Sequence, residues 1–202
     1  MTTTPLSAAA MMGHVEVLST RFPHRHTGEP DEAGAAAYIA DQLRRLGLAV
    51  NVHELSVMGW ELTATPLLEL LGSEARTIEC VPFIFSGSTP VGGLEGRLRP
   101  IGPTVVVGIR PPWQKYAIVD GDDQQRAFVV GRPVGPAIAQ SGPPAGSAGT
   151  QDGPHYTWPA VVVGADDLAL IESLCASADS DLRVRLDVQA RYKPGCTSYV
   201  VE

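Results

Sequence analysis

The sequence predicts an α+β fold: two N-terminal helices, then a mainly β domain that finishes with a β-α-β passage. Three observations carry this. Apolar residues recur at helical spacing in the N-terminal part. From Trp60 onward they contract into short runs separated by glycine, proline and acidic turns. Near residue 160 a strand-like run is followed by a helical stripe and then by a second strand.

In residues 6–18 the side chains Ala8, Met11, Met12, Val15 and Leu18 make one stripe, with Ser7 placed to cap the first turn. A polar hinge, residues 21–30, leads to a second helix. There Asp31 and Glu32 occupy the favourable first turn, Ala36, Ile39, Leu43 and Leu46 form the apolar side, and Gly47 stops the helix. Residues 48–55 alternate imperfectly and read as an edge strand. Short strands are expected at 66–71, 77–85, 104–109, 116–120 and 127–130. Residues 139–154 contain no large apolar side chain and read as a mobile loop, because nothing there offsets the entropy of ordering it. The run Ala160, Val161, Val162, Val163 reads as a buried strand. Asp166 and Asp167 then cap a helix whose Leu168, Ile171 and Leu174 face inward, and 182–190 returns as a strand. The expected core is Leu43, Leu46, Val161, Val163, Leu168, Ile171, Leu174 and Leu186.

Composition narrows the function classes. The 202 residues carry 15 Lys and Arg against 22 Asp and Glu, a net charge of −7, so there is no basic footprint for nucleic acid or an anionic membrane. No apolar stretch approaches the roughly 20 residues that cross a bilayer, and the N-terminus lacks a basic leader with an apolar core. Cys80, Cys175 and Cys196 are an odd number without a paired spacing and read as free thiols of a reducing, cytoplasmic protein.

Searching for chemistry yields few constellations. His24 and His26 sit two apart beside Glu29, Asp31 and Glu32, but zinc needs three or four ligands and no nearby residue completes the set; a helix start and polar hinge explain the same cluster. His14 and His53 read as surface side chains, and His155 lies beside the aromatic pair Tyr156 and Trp158. The runs 86–89 and 146–149 do not make a nucleophile elbow, and 87–96 lacks the lysine of a phosphate loop. Asp122 and Asp123 belong to a solvated turn. No residue is therefore assigned a catalytic, cofactor-binding or metal-binding role.

The stretch RFPHRHTGEPDEAGAAAYIADQLRRLGLAVNVHEL, residues 21–55, resembles the N-terminal region of zinc aminopeptidases related to aminopeptidase Y and the transferrin receptor ectodomain. WPAVVVGADDLALIESL, residues 158–174, looks like the strand-helix unit of the protease-associated domain, the β-rich insert of that family. STPVGGLEGRL, residues 88–98, is similar to the opening of the insert, and VRLDVQARYKPGCTSYVVE to the strand that returns toward the peptidase sheet. The resemblance implies a peptidase front end over 1–55, a protease-associated-like domain over 56–191 and, over 192–202, a strand leading toward a catalytic core that this sequence does not contain. In the family two zinc ions sit in that core; the resemblance carries no ligand to any residue here.

Three functional expectations follow. The first is a non-catalytic accessory portion of a zinc peptidase, shaping substrate access or holding a peptide or protein partner through Tyr156, Trp158 and Trp113. The second is hydrolase activity once a separate chain supplies the zinc core against 197–202. The third is a small-molecule binding or biosynthetic protein whose Trp60, Trp113, Tyr116, Tyr156 and Trp158 line a pocket.

Overall fold

A computed structural model describes residues 7–25, 28–104, 113–137, 140–141, 158–176 and 181–202. The chain divides into one unit of Met1–Gly59 with Lys193–Glu202 and a second of Trp60–Tyr192.

The first unit contains α1 (Ala8–Thr20) and α2 (Pro30–Arg45). Ser7 caps α1 as expected, its hydroxyl accepting the Ala10 amide at 3.1 Å. Pro30 opens α2 with Asp31 and Glu32 in its first turn, and Gly47 follows the helix at φ 82°, a conformation without penalty for glycine alone. Tyr38 of α2 meets His14 of α1 through a 2.7 Å hydrogen bond, and the Phe22 ring packs where Gly34 leaves room. Leu43 is half-buried, but Leu46, expected in the core, is 75% exposed. Its stripe has the correct period, yet the C-cap position turns its side chain to solvent. α1 buries none of its side chains.

The strand expected at 48–55 begins later, as β1 (Val52–Leu62), and pairs with β11 (Ala190–Val201) in a two-stranded sheet. Asn51 and Glu202 exchange both backbone hydrogen bonds at its end, at 2.8 and 3.0 Å.

Among the described residues the second unit is built on nine strands ordered β3-β2-β10-β5-β6-β7-β9-β4-β8. In chain order these are β2 (Leu67–Leu70), β3 (Arg76–Ile78), β4 (Cys80–Ile84), β5 (Leu94–Thr104), β6 (Trp113–Val119), β7 (Gln125–Gly131), β8 (Gln140–Ser141), β9 (Ala160–Val163) and β10 (Arg183–Asp187), with α3 (Ala165–Cys175) between the last two. The 77–85 run is two strands rather than one. β5 occupies a stretch read only as a glycine turn and an insert opening. Its pairing with β6 shifts between Pro100 and Gly102, leaving Ile101 as the extra, exposed residue of a bulge. Part of the expected loop, Gln140–Ser141, pairs in parallel with β4, whereas residues 142–157 lie outside the described part.

The period-two pattern distributes the core to both faces of this sheet. One cluster gathers Tyr116, Ile118, Ala127, Val129, Val161 and Val163 beneath Leu168 and Ile171 of α3, together with Leu186. The other gathers Phe83, Trp113, Phe128, Val130, Ala160 and Val162. Burial on both sides explains why β9 is apolar without interruption. Leu174, expected inside, packs at the edge of the first cluster and is half-buried. The cap of α3 is Gly164; Asp166 and Asp167 stand in the first turn and do not bond to it. Toward β10 the second face becomes ionic, with Arg183 paired to Glu95 at 3.5 Å and Arg185 to Glu69 at 3.7 Å.

Candidate functional site

The hinge before α2 was the strongest metal candidate in the sequence, and its carboxylates are committed to structure. Asp31 Oδ2 accepts the His24 amide at 2.9 Å, Glu32 Oε2 accepts the Gly28 amide at 2.7 Å, and Glu29 Oε1 pairs with Lys193 at 3.2 Å. Ser198 donates its hydroxyl to Glu32 Oε1. The hinge approaches β11 closely: a Cβ on Gly28, whose φ is 84°, would lie 2.5 Å from Cys196 Cβ. These acids therefore fasten hinge, helix and strand within the first unit. His53 hydrogen-bonds Glu202 at 2.7 Å, while His26 and His155 lie outside the described residues.

Among the described residues no three of His, Cys, Asp or Glu converge as metal ligands, so they do not fit the zinc pair that the family resemblance implies. Cys80, Cys175 and Cys196 are free thiols. Burial lifts the Cys80 thiol to about 11 and moves Cys175 in the same direction, so the fold favours the protonated form of both. Asp120, in the turn that carries Asp122 and Asp123, accepts the amides of Gln124 and Asp122 and pairs with Arg126 at 2.6 Å; these contacts hold its carboxyl below the ordinary range. Asp123 takes Arg97 and Arg99. The acids of this turn hold its shape.

The aromatic residues separate. Trp113, expected to bind a partner, is 2% exposed and lies in the second core cluster, because its position on β6 points it to the interior of that face. Tyr116 points to the opposite face. Trp60 packs against Phe85 with ring centroids 6.4 Å apart. Tyr156 lies outside the described residues. Trp158 is 38% exposed and meets the Phe128 ring edge-on, centroids 6.3 Å apart. The described members of the aromatic set do not line one pocket.

Beside this pair is Lys115, which sequence reasoning missed. It is 8% exposed, and its Nζ sits 3.9 Å from the centroid of Phe128. Desolvation pushes its ammonium below the ordinary lysine value. The available signal was parity: along β6, Trp113, Lys115, Ala117 and Val119 share one face, and the others are apolar.

Other concave sites lie among the described residues. A cavity of about 360 Å³ at the start of α3 is lined by Glu79, Gly135, Pro136, Gly164, Asp166 and Asp167 among others. A groove of about 280 Å³ in the first unit runs between Ala35, Ala36 and Ile39 of α2 and Tyr199 and Val201 of β11, with Arg25 and Glu32 also lining it. Among the described residues no helix is long and apolar enough to cross a membrane.

The fold is shared with solved structures of peptidases. A peptidase M28 precursor from Shewanella amazonensis SB2B matches with a TM-score of 0.62 and 14% identity, over 94% of this chain and 48% of that one. An aminopeptidase from Aneurinibacillus sp. strain AM-1 matches with a TM-score of 0.53 and 20% identity, over 96% of this chain and 47% of that one. BSAP, a zinc aminopeptidase from Bacillus subtilis, matches with a TM-score of 0.50 and 18% identity, over 98% of this chain and 47% of that one. The chain thus spans about half the length of these structures. No family model matches the chain, and no curated protein matches it by sequence.

Proposed function

We propose that this chain is a non-catalytic accessory portion of a zinc-dependent peptidase-family protein, shaping substrate access or holding a peptide or protein partner. The observation that carries the reading is the uncovered apolar surface of the first unit. Met11, Met12 and Val15 on α1, Leu46 and Leu48 after α2, and Leu55 on β1 are all exposed. α1 buries no side chain fully, with Val17 and Leu18 only partly covered, and its exposed Met11, Met12 and Val15 are available to another polypeptide. Support also comes from fold neighbours that are peptidases about twice as long as the length they share with this chain. In this reading the protease-associated-like unit presents Trp158, with Tyr156 nearby in sequence, as its partner-binding rim, and the free thiols suit a reducing, cytoplasmic setting.

A second reading, hydrolysis once a separate chain supplies the zinc core, is favoured by one feature. β11 is paired on one side with β1, and among the described residues no third strand joins this sheet. Residues 197–201 of β11 carry no charge, and an uncharged edge invites strand addition. The groove beside Tyr199 and Val201 leaves room for its side chains.

The test has two arms. The purified chain, dialysed with and without zinc, is assayed for metal content and for hydrolysis of leucine p-nitroanilide; stoichiometric zinc with turnover rejects the accessory reading. Hydrophobic dye binding is then compared with that of a Met11→Ser, Val15→Ser variant. The expected result is weaker dye binding at an unchanged melting temperature; unchanged dye binding removes the uncovered-face argument.

A further inference from the structure

We propose that Lys115, Phe128 and Trp158 form a binding site for a carboxylate carried beside an apolar group. The three side chains make a row on neighbouring parts of one sheet: Lys115 on β6, Phe128 on β7, and Trp158 two residues before β9. The ammonium lies over the Phe128 ring at 3.9 Å, and that ring meets the edge of Trp158 at 70°.

Lys115 is the one charged side chain among the buried residues described, and no described carboxylate pairs with it. The chain has 22 acidic residues and uses many of them on exposed arginines, yet no described one reaches this ammonium. A ring face returns only part of the hydration an ammonium gives up on burial. Lys115 keeps 8% of its surface exposed and Trp158 38%, and a ligand oxygen would arrive from that exposed side. A carboxylate arriving there would supply a charge-assisted hydrogen bond, and the exposed ring of Trp158 would cover the carbon skeleton beside it.

The alternative is a lysine whose methylene stem merely shields Phe128. Lys115→Met separates the two roles, because it keeps the stem and removes the charge. The proposal does not depend on what covers the first unit, so failure of the zinc or dye experiment leaves it standing.

Two sources can supply the carboxylate, a peptide or a small free acid, and the probes distinguish them. Calorimetric and tryptophan-fluorescence titrations use acetyl-Gly-Phe-Glu-Gly-amide, its glutamine counterpart, phenylacetate and phenylacetamide. Saturable binding of the glutamate peptide or of phenylacetate is expected, weakened about tenfold or more in the matching amide, in Lys115→Met and in Trp158→Ala, and kept in Lys115→Arg. Binding of the peptide alone identifies a polypeptide ligand; equal binding of phenylacetate identifies a small acid. Absence of saturable binding to both carboxylates overturns the site, as does undiminished binding by a folded Lys115→Met. Should that variant fail to fold, amides binding as tightly as carboxylates overturn it equally.

Discussion

Trp60 donates its indole N–H to the carbonyl oxygen of Ser86 at 3.0 Å, and so ties β1 to the turn that follows β4. One residue earlier, the carbonyl of Phe85 accepts the Tyr192 hydroxyl at 2.6 Å, and Phe85 itself lies at φ 66°, left-handed backbone that a bulky residue seldom adopts. Two aromatic donors thus hold a strained turn, and at its centre the buried Ser86 Oγ has no partner among the described residues.

Trp60→Phe keeps most of the ring and removes the donor, leaving a buried carbonyl unsatisfied. Urea unfolding should show a loss of about 1–3 kcal/mol. Ser86→Ala removes an unpaired hydroxyl and is expected to leave stability unchanged or raise it by about 1 kcal/mol. A large loss in Ser86→Ala would mean that the hydroxyl is satisfied in solution.

Gly96 permits β5 and β6 to approach. A Cβ there would stand 2.4 Å from the Val119 carbonyl oxygen, and backbone cannot step aside as a side-chain tip can. Gly96→Ala should cost about 1–3 kcal/mol, whereas Gly121→Ala, with nothing within 4 Å, should stay within about 0.5 kcal/mol of the parent in the same denaturation series.

Ile171 and Leu174 lie on the same helix, but only the first is sealed against the sheet. Ile171→Ala is expected to cost about 2–5 kcal/mol, and Leu174→Ala less, since part of its side chain remains in water in the parent. Equal losses would place Leu174 deeper than the packing of α3 allows.

Burial raises the Cys80 thiol from 9.0 to about 11, so the unfolded chain loses that proton first as pH rises. The stability this group contributes is complete below 9.0 and falls as pH climbs toward about 11. Mass-spectrometric mapping of iodoacetamide labelling at pH 8 should show Cys80 protected in the native protein and modified in urea; the Cys80→Ala variant should lose part of the alkaline decline in melting temperature.

Local chemistry was legible in the sequence wherever it acts through near neighbours along the chain. Ser7, Pro30 with Asp31 and Glu32, and Gly47 mark helix ends by satisfying or sparing backbone groups beside them. The unbroken apolar run of β9 marked a buried strand, and the structure buries it on both faces. β5 escaped notice because Pro100, Gly102 and Pro103 interrupt its alternation, and only the neighbouring β6 shows that a bulge at Ile101 absorbs the interruption. At the candidate site the sequence supplied the aromatic residues but not their separation. Trp113 and Trp158 are the same residue type, each beside a proline, and no local rule tells which is inside.

By itself the sequence determined the class of fold, the Ser7 cap of α1, the Gly47 stop of α2 and the apolar run of β9, since each of these rests on spacing and on backbone groups a few residues apart. The tertiary structure alone decided that Leu46 is left uncovered, that the hinge acids hold amides and Lys193, and that Lys115 meets Phe128 without a described carboxylate. Those outcomes depend on what a distant strand or helix brings within a few ångströms of a side chain, and burial, pairing and charge are properties of that neighbour as much as of the residue.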